Sequence, residues 1–250
     1  FPRLRAARNL LSEDGIILVS IDDNEINNLI SVATEVFGRE NFLGSFVWRR
    51  RQTSDNRNQS RLSVDHEYVV AFGKSSASQL NGRGIDQGKY TNPDNDPRGP
   101  WTSENLTGLA TASQRPNLHF DIVNPKTGIS YPPSPARGWA KGKETIAQLI
   151  AEDRILWPKS PTGRPREKKF LNNLKSQVTG FSSWMESEVT GFNYNGTREV
   201  TELFGGKIFD FPKPIKFLSS LIEQATSDGD TILDFFAGAA STAHAVMDQC

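Results

Sequence analysis

The stretch from Thr231 to Thr242, Thr-Ile-Leu-Asp-Phe-Phe-Ala-Gly-Ala-Ala-Ser-Thr, constrains the fold more than any other part of the sequence. It reads as a strand over Thr231–Phe236, a tight loop of small residues over Ala237–Ala240, and a helix over Ser241–Cys250. A joint of this kind belongs to alternating strands and helices, in which each sheet face is covered by helices. Small residues in the loop let a ligand approach the backbone. The free N–H groups at the helix start suit a carboxylate. Any α/β domain contains strand–loop–helix joints, so this motif alone leaves a ligand site and a plain structural joint equally open.

The beginning of the chain has the same texture. Residues 3–14 read as a helix, closed by Asp14-Gly15. Ile16–Ile21 is an apolar run of strand length, expected to lie buried on both faces of a parallel sheet. Asp22 then suits a helix N-cap, with Glu25 three residues on as in a capping box. Ile26, Leu29, Ile30, Ala33 and Phe37 follow at helical spacing. Strands are expected over Phe46–Arg49 and Glu67–Phe72, joined by the loop 50–64, which is long enough to be functional. From residue 81 Gly, Pro, Asn and Trp become frequent and periodicity weakens, apart from a short helix at Glu144–Ala151. The α/β texture returns near residue 207, where Pro214 suits the first turn of a helix carrying Ile215, Leu218, Leu221, Ile222 and Ala225. The expected organisation is therefore an α/β part over residues 1–80, an irregular insert over 81–204, and a second α/β part over 205–250.

Composition removes several classes of function. Hydrophobic residues make up 36% and charged residues 23%, which fits a globular chain rather than a disordered one. No apolar run approaches the length needed to cross a bilayer. One cysteine, Cys250, and three histidines exclude an internal disulfide framework and speak against a His/Cys metal centre, so no metal is expected. Net charge is zero, but the basic residues are clustered. Arg49, Arg50, Arg51, Arg57 and Arg61 face only Asp55 in their stretch, and residues 137–175 hold a second excess of Lys and Arg. Both stretches suit phosphate contact, the alternative being a solvated strand end. Trp101, Trp139 and Trp157 are read as core residues of the insert rather than base-stacking groups. Patterns of helix already run at Phe1 and still run at Cys250, so the chain reads as a fragment.

An acidic strand end followed by a helix start would fit a zwitterionic amino-acid moiety, and S-adenosylmethionine carries one. Asp234-Phe235-Phe236-Ala237-Gly238-Ala239-Ala240 resembles the cofactor motif of amino-methylating DNA methyltransferases. Lys213-Pro214 resembles the lysine–proline pair that precedes it in that family. The segment Asp65-His66-Glu67-Tyr68-Val69-Val70-Ala71-Phe72-Gly73-Lys74 resembles a late strand of the family, and Gly15–Ile21 with Asp22-Asp23-Asn24-Glu25 resembles the strand and turn after its catalytic motif. Their order is that of the permuted β class. The insert, with Asn95-Asp96-Pro97-Arg98-Gly99-Pro100-Trp101 and Arg137-Gly138-Trp139, looks like that of the methylating (Mod) subunits of type III restriction–modification systems.

The resemblance implies a Rossmann-like S-adenosylmethionine-dependent core with a mostly parallel sheet, present in part, and an inserted target-recognition region. It implies a parent protein that methylates adenine N6 in double-stranded DNA in the bacterial cytoplasm, as a homodimer working with a nuclease-helicase restriction subunit. Asp234, Phe236, Gly238, Ala240, Lys213 and Pro214 would shape the cofactor site, and Arg49, Arg50, Arg51, Arg57 and Arg61 would contact DNA. Two departures stand out. Ala240 replaces the motif's second glycine, harmless in a helical turn and strained at positive φ. The catalytic Asp-Pro-Pro-Tyr is absent: Asp96-Pro97-Arg98-Gly99 and Tyr131-Pro132-Pro133-Ser134 do not match it, and the motif is expected upstream of Phe1. The alternatives are a non-catalytic remnant that binds DNA or cofactor, and a cytosine-N4 methyltransferase. A P-loop at Gly73-Lys74-Ser75 fails for want of a glycine at Tyr68, and a dinucleotide fingerprint at Gly238 fails at Ala240 and Ala243.

Overall fold

A computed structural model describes residues 1–55, 60–160 and 162–249. The chain forms two compact units, one of Phe1–Arg83 with Val178–Cys250, the other of Gly84–Gln177.

Unit 1 opens with helix α1 (Pro2–Leu10), whose first turn contains a proline that needs no N–H partner there. It ends at Leu10 rather than Asp14. The Lys74 ammonium is bonded to the carbonyls of Arg8 and Leu11, a cation placed where the helix leaves acceptors open. Strand β1 (Ile16–Ile21) follows, then helix α2 (Ile26–Phe37). The expected capping by Asp22 is not found: α2 starts later, and Asp22 instead accepts from the backbone and side chain of Asn24 at 3.1 and 3.0 Å. An Asp that can close its own local turn competes with its use as a helix cap.

Strands β2 (Phe42–Arg49) and β3 (His66–Gly73) complete the central sheet with the short strand Trp184–Met185. The order is β1-β3-β2 and then Trp184–Met185. Both β1–β3 and β2–β3 are antiparallel, and only β2 with Trp184–Met185 is parallel. The mostly parallel sheet expected from the apolar runs is therefore corrected. Such runs report burial on both faces, not strand direction. The crossover through α2 brings β2 parallel to β1. The connection from β2 to β3 contains no helix among its described residues, and β3 runs back between the two. What stands is a mixed α/β arrangement.

Alternation along β3 divides the core of unit 1. Val70 and Phe72 pack with Ala7, Ile17, Ala33 and Phe37 under α1 and α2. Val69 and Ala71 pack with Phe46, Trp48 and Met185 against Phe217 and Leu221 on the opposite side. Helices thus cover both faces of the sheet.

Unit 2 is not irregular throughout. Trp101–Asn105, Arg166–Phe170 and Ile155–Leu156 form a three-stranded antiparallel sheet, and Ile122–Val123 pairs with Ser130–Tyr131. Helix α3 (Lys143–Ala151) contributes Ile146 and Leu149 to a core with Leu106, Ile122, Trp139 and Ile155. Trp139 is fully buried and its indole N–H donates to the Phe120 carbonyl at 2.6 Å.

The chain returns to unit 1 at Val178, earlier than the expected end of the insert at 204. Two helices there escaped the sequence reading, α4 (Ser187–Thr190) and α5 (Asn193–Phe204). Helix α6 (Ile215–Ala225) lies where expected, with Pro214 as its N-cap rather than inside its first turn. Helix α7 (Ser241–Met247) is seven residues long. Residues 231–236 are not a strand, a second correction. A strand exists through the ladder a neighbour supplies, and no described strand pairs with this segment. Leu233, Phe235 and Phe236 stand 60%, 44% and 70% exposed.

Candidate functional site

The segment Asp234–Thr242 is a loop closed by its own acidic residue. One oxygen of Asp234 accepts from the Phe236 N–H at 3.0 Å and the other from the Thr242 hydroxyl at 2.7 Å. The carboxylate therefore ties the apolar segment before the loop to the first turn of α7. Gly238 takes positive φ (55°), and a Cβ there would meet the Phe209 ring at 3.2 Å. Ala240 also has positive φ (57°) and is the N-cap of α7. Of the two settings expected for Ala240, the strained one is found.

Ala239, Ala240 and Ser241 form one wall of a cavity of about 440 Å³. Helix α5 supplies Glu199, Val200, Leu203 and Phe204, and Ile215 and Met247 add apolar surface. Glu199 is not free: it accepts from the Ile215 N–H at 2.9 Å and so caps α6. This volume lies within the range of small-molecule sites. Among the expected cofactor residues, only Ala240 lines this cavity. Phe236 is exposed beneath the Arg3 guanidinium, 5.6 Å from its ring centre. Lys213 is ion-paired with Glu67, and its ammonium lies 5.1 Å from the Trp48 ring centre.

The expected DNA-contacting arginines differ in how they are held. Arg49 is exposed at the end of β2, its guanidinium 6.0 Å from the Phe192 ring centre and bonded to the Gln52 carbonyl at 3.3 Å. Arg50 is turned inward, bonded to Glu67 at 3.1 Å and to the Val64 carbonyl at 3.4 Å. Arg51 pairs with Asp55 at 2.5 Å. Arg61 is exposed at positive φ (58°). Arg57 lies outside the described residues. The N–H groups of Arg50 and Arg51 both donate to the Asp65 carbonyl, at 2.9 and 3.3 Å, which closes the neck of the loop.

Part of the second basic stretch is engaged inside unit 2. Lys141 and Arg154 pair with buried Glu167, Lys169 with Glu104, and buried Lys168 with Asp94 and Asp96. Asp96 also pairs with Arg98 at 2.7 Å. These four cations have carboxylate partners within their own unit. Arg137, Lys143, Lys159, Arg164 and Lys175 of the stretch remain exposed.

At the end of the sheet where β1 and β2 finish, Asp23, His66 and Tyr68 gather. The Tyr68 hydroxyl lies 2.9 Å from His66 Nε2, and Asp23 lies 3.7 Å from the same nitrogen. Burial, with the Asp23 carboxylate beside it, pushes the Tyr68 phenol above its ordinary range. Sequence reasoning passed over Glu67, Phe192 and Glu199. Each acts on a residue 16 or more positions away, and no local pattern marks such a pairing. Among the described residues no cluster of His, Cys, Asp and Glu could hold a metal ion, and no helix is long and apolar enough to cross a membrane.

A sequence model described as DNA methylase matches residues 1–249. The chain is 30% identical, over 99% of its length, to the type III restriction–modification enzyme StyLTI Mod subunit of Salmonella typhimurium, of which it covers 37%. It is 33% identical over 98% of its length to the type II methyltransferase M.KpnI of Klebsiella pneumoniae, covering 61% of that protein. Against the type III EcoP15I Mod subunit of Escherichia coli the identity is 29% over 99% of this chain and 43% of the relative.

Proposed function

The chain belongs to the DNA methylase family, and from that premise we propose that the whole protein transfers a methyl group from S-adenosylmethionine to adenine N6 in double-stranded DNA, as the methylating subunit of a restriction–modification system. The observation that carries this reading is the match over nearly the whole chain to the family and to Mod subunits. The chain spans less than two thirds of each of these relatives' lengths, so the activity is assigned to the whole protein. The Asp-Pro-Pro-Tyr motif does not occur in these 250 residues, and the proposal places it elsewhere in that protein.

S-adenosylmethionine supplies an electrophilic methyl group when bound. What supports such a ligand is a mainly apolar cavity of about 440 Å³ walled by Ala239, Ala240 and Ser241 just after Gly238. Asp234 holds the loop that carries Gly238 and Ala240. Arg49 and Arg61 are the exposed arginines offered to DNA phosphates. The target adenine has to leave the duplex, since its amine is otherwise within the base stack. Unit 2 is assigned target recognition. A homodimer and a nuclease-helicase partner complete the reading.

The test is methyl transfer from labelled S-adenosylmethionine to duplex DNA by the full-length protein, followed by nucleoside analysis. N6-methyladenine is the expected product. N4-methylcytosine would reassign the target base, and cofactor or DNA binding without any transfer would leave a non-catalytic binding protein. Asp234→Ala is expected to weaken cofactor binding about tenfold, a loss of about 1.4 kcal/mol, read by calorimetry. Unchanged affinity would remove Asp234 from the site.

A further inference from the structure

Glu67 stands where the end of β2 and the Lys213-Pro214 turn meet. It lies on β3, its side chain 15% exposed. One carboxylate oxygen accepts from Arg50 Nη1 at 3.1 Å, and the other accepts from the Lys213 ammonium. Two cations from opposite ends of the chain share one acid. Trp48 lies directly opposite Glu67 in the β2–β3 register, and its ring faces the Lys213 ammonium on one side and stacks on Phe217 of α6 at 4.3 Å. Carboxylate and indole together form the seat of Lys213.

Each partner of Glu67 anchors a larger piece. Arg50 sits at the neck of the arginine-bearing loop, and its carbonyl accepts from Asn193 N–H, the first residue of α5, at 2.9 Å. Lys213 precedes Pro214, the N-cap of α6. Helix α5 and Ile215 also wall the cavity beside Ala240. A half-buried carboxylate shared between two cations is a stringent arrangement. Without it two positive charges are left close together in a poorly solvated place, and each must move or be neutralised.

We propose that Glu67 is a positioning residue that holds Arg49-Arg50 at the end of β2 and the Lys213-Pro214 turn in one register, so that DNA and cofactor bind cooperatively. The inference rests on the methyltransferase reading above. Contact of a phosphate with the exposed Arg49 shifts its neighbour Arg50 at the end of β2 and changes the share of Glu67 available to Lys213. Cofactor binding beside α5 and α6 acts in the other direction through the same carboxylate. Linkage requires the two effects to be equal in size.

The experiment measures, in the full-length protein, the affinity for a cognate DNA duplex with and without the cofactor analogue sinefungin, in wild type, Glu67→Gln, Glu67→Asp and Lys213→Gln. The expected wild-type result is a coupling factor of about five or more. Glu67→Gln and Lys213→Gln are each expected to bring that factor close to one, with Glu67→Asp in between. A purely structural ion pair would lower melting temperature and leave the factor unchanged, and that result would overturn the proposal. Should Glu67→Gln fail to fold, Lys213→Gln decides alone, because it keeps Glu67 paired with Arg50. Wild type that binds both ligands with a factor of one overturns the coupling only. Wild type that binds neither overturns the methyltransferase reading on which it rests.

Discussion

Ala240 carries a backbone conformation that its side chain opposes. At φ 57° and ψ 25° it is left-handed, where a Cβ costs about 1–2 kcal/mol. Glycine removes that cost but adds freedom to the unfolded chain, worth about 0.4–1 kcal/mol. Ala240→Gly is therefore expected to raise stability by about 0.5–1 kcal/mol, read as a higher urea midpoint with an unchanged slope. A lower midpoint would mean that Ala240 is not left-handed in solution. Asp94 and Asp96 make a second case at this scale. The Lys168 ammonium, then the Trp101 indole, hold Asp94 below the ordinary carboxylate range. The Arg98 guanidinium does the same for Asp96 against its desolvation. Burial lowers Lys168, but Asp94 and Asp96 raise it by more. Acids whose folded pKa is depressed stabilise the fold above their unfolded pKa, and lose that contribution as pH falls through the folded value. The raised Lys168 contributes below its unfolded pKa and loses that contribution as pH rises through the folded one. Unit 2 should thus keep this support from about pH 4 to about pH 10 and lose it outside that window. Melting followed against pH should show the acid loss, and Asp96→Asn should shrink it.

At the scale of elements, α5 depends on one small residue. Gly196 is buried in it, and a Cβ there would overlap the carbonyl oxygen of Pro212, next to Lys213. Gly196→Ala is expected to cost about 1–3 kcal/mol, measured by denaturant unfolding, and no loss would show that helix and turn separate readily. This helix was not legible in the sequence. Its first residues, Asn193-Tyr194-Asn195-Gly196-Thr197, contain poor helix formers, and packing against the Pro212-Lys213 turn overrides them. By contrast β1, α2, β3 and α6 were legible, because strong apolar runs and helical spacing mark them. Strand direction was not, since β3 is as apolar as a parallel strand while running between two partners of opposite sense. The 231–236 segment has the composition of a strand and no partner for one. For the candidate site, the Asp234–Thr242 loop and the arginine cluster could be found from local spacing. The sharing of Glu67 between Arg50 and Lys213 spans 146 residues on its longer arm, and only the fold brings those residues together.

The molecule as a whole has separate interiors. The clusters of unit 1 lie on the two faces of its sheet, and that of unit 2 is built around Trp139. Truncation of Trp139 to alanine should cost unit 2 about 3–5 kcal/mol. Hydrogen exchange should then speed up over residues 84–177 while the amides of β1 and β3 stay protected, the pattern of separate cooperative units. Loss of protection in both would show that the two unfold together.

The junction between the units has one more consequence. On the unit 1 side the Thr179 hydroxyl donates to the Arg83 carbonyl at 3.4 Å, and on the unit 2 side the Ile85 N–H donates to the Gln177 carbonyl at 3.0 Å. The outgoing and returning strands run side by side at the crossing, so the sheet of unit 1 sees a hairpin whatever length of chain lies beyond it. A segment attached by such a neck can be traded for another as a cassette, as inserted domains with neighbouring ends are. Natural selection can then rewrite what lies past the neck while the register of β1, β3 and β2 stays as it is.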